Sequence, residues 1–102
     1  YSELILDVID YSIIPEEFKL QQAYPNPFNS EITIEYAIAK DVAVSISVYD
    51  LLGRSVTKLV NENQQAGNYS ITWQANEITS GIYFLNMTAS DYSSTQRIIL
   101  LK

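Results

Sequence analysis

The stretch that decides the fold is Ile32-Thr33-Ile34-Glu35-Tyr36-Ala37-Ile38. Large apolar residues stand at every second position, and small or polar residues stand between them. This period of two is typical of a half-buried antiparallel strand, with one face on a core and the other in water. The stretch Val42-Ala43-Val44-Ser45-Ile46-Ser47-Val48 repeats the pattern, so a second strand of the same kind is predicted there.

The alternation continues in shorter runs to the end of the chain. Further strands are predicted over residues 56–60, 69–73, 81–89 and 95–101, and connections over residues 50–54, 61–67, 76–80 and 91–94. Gly53 is expected at positive φ in the first of these turns. About seven short strands, with turns roughly every 8–12 residues and no convincing helical period, predict an all-β antiparallel sandwich.

A kinked motif, Tyr24-Pro25-Asn26-Pro27-Phe28-Asn29, precedes the first strand. The two prolines restrict φ and keep the residues before them out of the helical region, so residues 20–28 are predicted to form an extended entry segment. The flanking aromatic rings indicate that this segment is pinned against a core. Residues 1–18, with a strand-like run at 4–9, are interpreted as a linker or as the final strand of a preceding domain, and residues 19–102 as one domain.

The predicted core centres on the single tryptophan, Trp73. The inward positions of the alternating strands supply its neighbours, which are Ile34, Tyr36, Val44, Ile46, Val48, Ile71, Tyr83 and Leu85.

Composition excludes several function classes. The chain of 102 residues is 47% hydrophobic and 18% charged, which is typical of an ordered domain. Its formal net charge of -6 and its scattered basic residues argue against a nucleic-acid partner. No run of apolar residues is long enough for a transmembrane helix.

No catalytic or metal-binding motif is present. The absence of His and Cys removes the usual nucleophile-base pairs and thiolate metal sites, so no catalytic, cofactor-binding or metal-ligating residue is assigned. The dense oxygen ligands of a calcium loop are also missing. The eight tyrosines leave a carbohydrate-binding alternative open, with Tyr49 and Phe84 as the outward aromatic side chains.

The last strand differs from the others because Ile98-Ile99-Leu100-Leu101 is apolar on both faces. An unbroken apolar edge invites pairing with other chains, so this strand is either buried on both sides or recognised by a partner. The hypothesis drawn from it is recognition through Arg97, Ile98, Ile99, Leu100, Leu101 and Lys102, by strand addition among other modes.

Several motifs together resemble a known family. They are, in order, residues 20–29, Ile32-Thr33-Ile34, Val48-Tyr49-Asp50-Leu51-Leu52-Gly53-Arg54, Ala66-Gly67, Trp73, Ser80-Gly81-Ile82-Tyr83 and the terminal apolar strand. In this order and spacing they resemble the C-terminal sorting domain (type A) of the type IX secretion system, which is similar to the Ig-like domain of flagellar hook-capping proteins. One departure is visible, since many members carry Pro-Ser/Thr-Thr after the asparagine, where this chain has Ser30-Glu31.

The resemblance implies an Ig-like fold and a non-catalytic function. Such domains direct an upstream cargo in the same polypeptide from the periplasm across the outer membrane, through secretion-machinery proteins, to the cell surface or the medium. The motif residues are expected to serve mainly the fold; they are Pro25, Asn26, Pro27, Phe28, Gly53, Gly67, Trp73, Gly81 and Tyr83. The alternatives are an extracellular structural or adhesive β-sandwich module and a carbohydrate-binding module.

Overall fold

The computed structural model describes residues 14–102, in which the strands follow the alternation of the sequence. They are β1 (Lys19–Leu20), β2 (Glu31–Ile38), β3 (Val42–Tyr49), β4 (Ser55–Gln64), β5 (Gly67–Gln74), β6 (Gly81–Ala89) and β7 (Tyr92–Leu100). The strand predicted at residues 4–9 lies outside the described residues.

The strands form two sheets that face each other across the core. The first sheet has the order β1-β2-β5 and the second the order β4-β3-β6-β7, and all neighbouring strands in them run antiparallel. A three-stranded sheet packed on a four-stranded sheet is the arrangement of immunoglobulin-like sandwiches. The predicted all-β, Ig-like sandwich of about seven strands is therefore confirmed.

The core lies between the inward faces of the two sheets, and the predicted core residues are buried there except Ile71. Ile71 is half-buried, because β5 is the outermost strand of its sheet and its inward side chains reach the rim. Trp73 is buried near one end of the core, where its ring lies 5.9 Å from Phe28 and 6.5 Å from Tyr83. Beyond the residues named around Trp73 in the sequence, the buried core also includes Phe28, Ile38, Met87, Ile98 and Leu100.

Two predicted connections are shorter in the structure than in the sequence analysis. β4 continues to Gln64, which pairs with Val42, so the predicted loop at residues 61–67 reduces to the turn before Gly67. The prediction failed because β4 is an edge strand with polar residues on both faces, which resembles a loop. The turn predicted at residues 91–94 lies at Ser90 and Asp91, and β7 begins at Tyr92 opposite Ala89.

Candidate recognition surface

The entry segment crosses from the first sheet to the second. Near its start it pairs with β2, since the backbone groups of Tyr24 and Thr33 exchange hydrogen bonds of 3.0 and 2.7 Å. At its end Phe28 pairs with β7 in parallel. Phe28 donates its N–H to the carbonyl of Ile99 and accepts from the N–H of Leu101, both at 2.8 Å. The outer edge of β7 is therefore covered over its last residues by the chain itself.

Asn26 extends this pairing with its side chain. Its Nδ2 donates to the carbonyl of Arg97 at 3.0 Å, and its Oδ1 accepts from the N–H of Ile99 at 2.9 Å. One side-chain amide thus supplies the donor and the acceptor that a neighbouring strand would offer to β7. The peptide bonds Tyr24-Pro25 and Asn26-Pro27 are both cis.

Gln96 makes the corresponding contact from β7 toward the entry segment. Its Oε1 accepts from the N–H of Ala23 and its Nε2 donates to the carbonyl of Gln21, both at 2.8 Å. With the bonds of Asn26, these contacts hold the entry segment along the second half of β7.

The six residues of the recognition hypothesis lie in three different environments. Ile98 and Leu100 point into the core and are fully buried. Ile99 is half-buried, whereas Arg97, Leu101 and Lys102 are exposed. The two-sided apolar run therefore has one face in the core and one face on the outer surface of the second sheet.

The chain end is held in place by the loop before β6. The N–H of Lys102 donates to Ser80 Oγ at 2.9 Å, and its Nζ donates to the carbonyl of Asn76. Leu101, which is 56% exposed, is thereby fixed next to the start of β6.

The turn between β3 and β4 presents two leucines to solvent. Leu51 is 64% exposed and Leu52 is 77% exposed, although both are large apolar residues. Asp50 fixes their backbone, because its Oδ1 accepts from the N–H groups of Leu52 and Arg54 at 2.9 Å, and its Oδ2 accepts from Arg54 Nε at 2.8 Å. Hydrogen bonds led by that from the Arg54 N–H hold the pKa of Asp50 below its ordinary value. Gly53 has φ of 83°, which confirms the predicted positive φ.

Apolar side chains on the outer face of the second sheet continue from this turn. Tyr49 on β3 lies opposite Phe84 on β6, and Ile82 on β6 lies opposite Ile99 on β7. All four are half-buried and alternate with buried residues, so they point outward. Together with the exposed leucines they form a surface that we call the end surface; its members are Tyr49, Leu51, Leu52, Ile82, Phe84, Ile99 and Leu101.

A shallow depression of about 200 Å³ lies within this surface. Leu51, Leu52, Gly81 and Ile82 are among the residues that line it. Leu51 and Leu52 were predicted from the sequence to lie in a turn that belongs to the family motif, but not to take part in recognition. The signal for an exposed position is that neither leucine occupies an inward position of a strand.

The outer faces of the two sheets differ in charge. On the second sheet, Arg97 and Lys58 stand on outward positions beside Phe84 and Ser47. On the first sheet the outward positions carry Glu31 and Glu35 on β2 and Lys19 on β1. In a protein with a net charge of -6, the face that carries most of the end surface is thus the more basic one.

Three residues of the fold motifs, Phe28, Trp73 and Tyr83, lie in the core. The ring of Tyr83 is buried and its hydroxyl donates to the carbonyl of Thr79 at 2.7 Å. A buried tyrosine normally needs such a partner for its hydroxyl. Phe28, Trp73 and Tyr83 pack together under the end surface, so these motifs build the scaffold below it.

Residues 14–102 contain no cluster of three or more His, Cys, Asp or Glu that is arranged to hold a metal ion. The same part of the chain contains no helix with the length and hydropathy of a membrane span.

Comparison with known proteins identifies the family. The family model described as "Secretion system C-terminal sorting domain" matches residues 22–101. Among solved structures, one of PorZ, described as an essential bacterial surface component of the type-IX secretion system of Porphyromonas gingivalis, matches with a TM-score of 0.56 and 19% identity. That match covers 83% of this chain and 11% of the PorZ chain, and at this identity it shows the fold alone. A comparison with curated proteins finds no significant match. Since the family model spans most of the sequence, the chain belongs to the family of secretion system C-terminal sorting domains.

Proposed function

We propose that this domain is recognised in its folded state by secretion-machinery proteins of the type IX system at the outer membrane, which export it together with the protein that carries it. Membership of the sorting-domain family supports this function and implies a destination at the cell surface or in the medium. The route passes through the periplasm, the cargo lies upstream in the same polypeptide, and the domain itself catalyses no reaction.

The observation that carries the proposal is the end surface. Two leucines more than 60% exposed stand on a turn that is fixed by three hydrogen bonds to Asp50. Exposed apolar patches on soluble proteins mark interaction sites when they are contiguous. A rigid patch also loses little conformational entropy when a partner binds, which favours recognition of the folded domain.

The end surface contains the exposed part of the residues in the recognition hypothesis. Ile99 and Leu101 belong to it, and Arg97 and Lys102 lie at its border. Ile98 and Leu100 are buried, and their role is to anchor this strand in the core. Recognition therefore uses the outward side chains of this strand, because the edge groups of Ile99 and Leu101 are already bonded to the entry segment.

The test is export of a reporter. The full 102-residue chain is fused behind a periplasmically targeted fluorescent protein, in a bacterium with the type IX machinery, and extracellular fluorescence is compared with that of a machinery-deficient strain. Machinery-dependent export is expected for the parent, and loss of export for the double variant Leu51→Asn and Leu52→Asn. Both leucines are exposed, so the variant is expected to keep the melting temperature of the parent.

The matched control is Tyr24→Gln, which removes a half-exposed aromatic side chain whose hydroxyl donates to Glu35 on the outer face of the first sheet. Export of this variant should equal that of the parent. A folded leucine variant with unimpaired export would contradict the proposed surface. A folded parent fusion that stays in the periplasm would contradict the sorting function and favour the structural, adhesive or glycan-binding alternatives.

A further inference from the structure

The outer face of the second sheet places two aromatic side chains between two cations. Tyr49 and Phe84 lie opposite each other on the central strands β3 and β6. Arg97, on the edge strand β7, lies opposite Phe84. Lys58, on the edge strand β4, lies opposite Ser47, the outward residue before Tyr49. The two edge strands are three strand spacings apart, about 14 Å, so the cations border the aromatic pair on both sides.

Neither cation is neutralised by the domain itself. In the part of the chain that the structure describes, the single salt bridge joins Arg54 to Asp50, and Arg97 and Lys58 are exposed without an ion-pair partner. No acidic residue occupies an outward position that is paired across this sheet. The acids on the outer face of the first sheet are distant, because two packed sheets lie about 10 Å apart and the Debye length at physiological salt is about 8 Å. A molecule on this face therefore meets a locally positive surface, although the protein has a net charge of -6.

The backbone of Arg97 is fixed before a partner binds. Asn26 Nδ2 donates to the carbonyl of Arg97 at 3.0 Å, and the next residue, Ile98, is fully buried in the core. Only the side chain of Arg97 has to become ordered in a complex. The entropic cost of using this cation for recognition is therefore small.

We propose, on the basis of the function proposed above, that the secretion-machinery partner covers the end surface with an apolar contact bordered by carboxylate groups. The apolar part covers the exposed leucines of the turn and the pair formed by Tyr49 and Phe84. The carboxylates lie opposite Arg97 and Lys58. Complementary charges fix the orientation of a complex and disfavour wrong partners, so these two cations determine how the domain is docked.

A protein suits this face better than an anionic lipid layer does. A lipid layer presents negative charge over its whole area and would repel a domain with a net charge of -6. A folded protein can place carboxylates opposite the two cations alone, with apolar side chains between them. The guanidinium of Arg97 can bind such a carboxylate through two parallel hydrogen bonds.

The test is the export assay with charge-reversed variants of the full 102-residue chain. The double variant Arg97→Glu and Lys58→Glu keeps the leucines and the aromatic pair but places like charges opposite the partner's carboxylates. Its extracellular fluorescence should be lower than that of the parent by about fivefold or more. The matched control is Lys19→Glu and Lys40→Glu, which makes the same change in net charge at exposed positions outside this face. The control should be exported like the parent.

All four substituted residues are exposed, so both double variants should keep the melting temperature of the parent. If the variant with both Arg97→Glu and Lys58→Glu does not fold, Lys58→Glu alone makes the test on the strand that the entry segment does not touch. This single variant should still lower export, and its control Lys40→Glu should not.

The export results distinguish failure of the acidic partner from failure of the sorting function. If the parent is exported and both charge variants are exported equally well, or lose export equally, the acidic partner is overturned and the sorting function stands. A folded parent fusion that stays in the periplasm would overturn both. Flotation of the purified chain with vesicles of phosphatidylglycerol and phosphatidylcholine tests a lipid as the occupant. No binding is expected, and binding that is lost in the variant with Arg97→Glu and Lys58→Glu would overturn the protein partner.

Discussion

At the scale of single residues, Asn26 shows how a side chain replaces part of a strand. Its amide bonds to Arg97 and Ile99, residues more than 70 positions further along the chain. An aspartate has nearly the same shape but no N–H to donate. The amide nitrogen is therefore the atom that distinguishes Asn26 from its closest substitutes.

Asn26→Asp should destabilise the domain by roughly 1–3 kcal/mol, because a carboxylate oxygen would face the carbonyl of Arg97 in place of a donor. Urea unfolding followed by tryptophan fluorescence measures the change. Asn63→Asp is the control, since Asn63 is exposed on β4 and no side-chain bond of it is seen in the described residues. Equal stabilities for the two variants would show that the amide of Asn26 contributes nothing.

The stability of the turn between β3 and β4 should depend on pH through the ionisation of Asp50. Hydrogen bonds led by that from the Arg54 N–H lower its pKa in the folded state, so its stabilising contribution is present above the ordinary aspartate pKa and is lost as pH falls through the lowered value. Carboxyl-carbon NMR should find Asp50 titrating below the ordinary aspartate range. The amide signals of Leu52 and Arg54 should shift with the same midpoint, since both groups donate to its Oδ1. An ordinary titration midpoint would contradict the hydrogen-bonded turn.

Trp73 should be the most costly core residue to truncate. Trp73→Ala is expected to cost roughly 3–5 kcal/mol, because the cavity would lie between Phe28 and Tyr83. Ile71→Ala on the same strand should cost less, since Ile71 is only half-buried. Thermal unfolding of both variants by circular dichroism makes the comparison, and the reverse order would place the core elsewhere.

At the scale of the elements, two turns contain a residue with positive φ, but only one of them has a glycine there. Ser90, in the turn between β6 and β7, has φ of 56°, a conformation that favours glycine. Gly53, in the turn between β3 and β4, has φ of 83° and open space where a Cβ would stand.

Exchanging these residue types should change stability in opposite directions. Ser90→Gly should stabilise the domain by roughly 0.5–1 kcal/mol, because relief of the left-handed strain exceeds the entropy that glycine adds to the unfolded chain. Gly53→Ala should destabilise it by about 1–2 kcal/mol through backbone strain alone, since no atom blocks the added methyl group. Chemical denaturation gives both values. A stabilised Gly53→Ala would mean that the turn adopts another conformation.

The elements also show what the sequence could predict. β2, β3 and β6 were predicted closely, because each has one face in the core and alternates clearly. The end of β4 and the start of β7 were missed, because edge positions with polar residues on both faces carry no alternation. The contact between the entry segment and β7 was also missed, since it depends on pairing between residues far apart in sequence. The end of β7 was predicted as a recognition element from the sequence. That Leu51 and Leu52 lie on the same surface follows only from the conformation of the turn between β3 and β4.

At the scale of the whole molecule, the two sides of the sandwich are unlike. The entry segment closes the side between β1 and β7, and the side between β4 and β5 has no such cover in the described residues.

The N-terminal limit of the domain can be tested with Phe18. Its ring stacks on Tyr92 at 6.0 Å, and the Tyr92 hydroxyl accepts from the N–H of Leu20 at 2.9 Å. A chain that starts at Lys19 should therefore be less stable than one that starts at Pro15 by roughly 0.5–1.5 kcal/mol. Phe18→Ala in the full chain should reproduce that loss. Equal melting of both truncations would place the limit at residue 19, as the sequence analysis predicted.

The parallel contact between the entry segment and β7 has a mechanical consequence. The segment runs from beside Tyr92, at the start of β7, to beside Leu100, at its end. A force that pulls the cargo side of the chain away from the Lys102 side would slide these two parallel segments past each other along their length. Their hydrogen bonds would then share the load and would have to break together, and not one after another as in the peeling of a hairpin. In the proposed function, a domain held at the end surface with its cargo on the N-terminal side would be loaded in the direction in which this junction resists best.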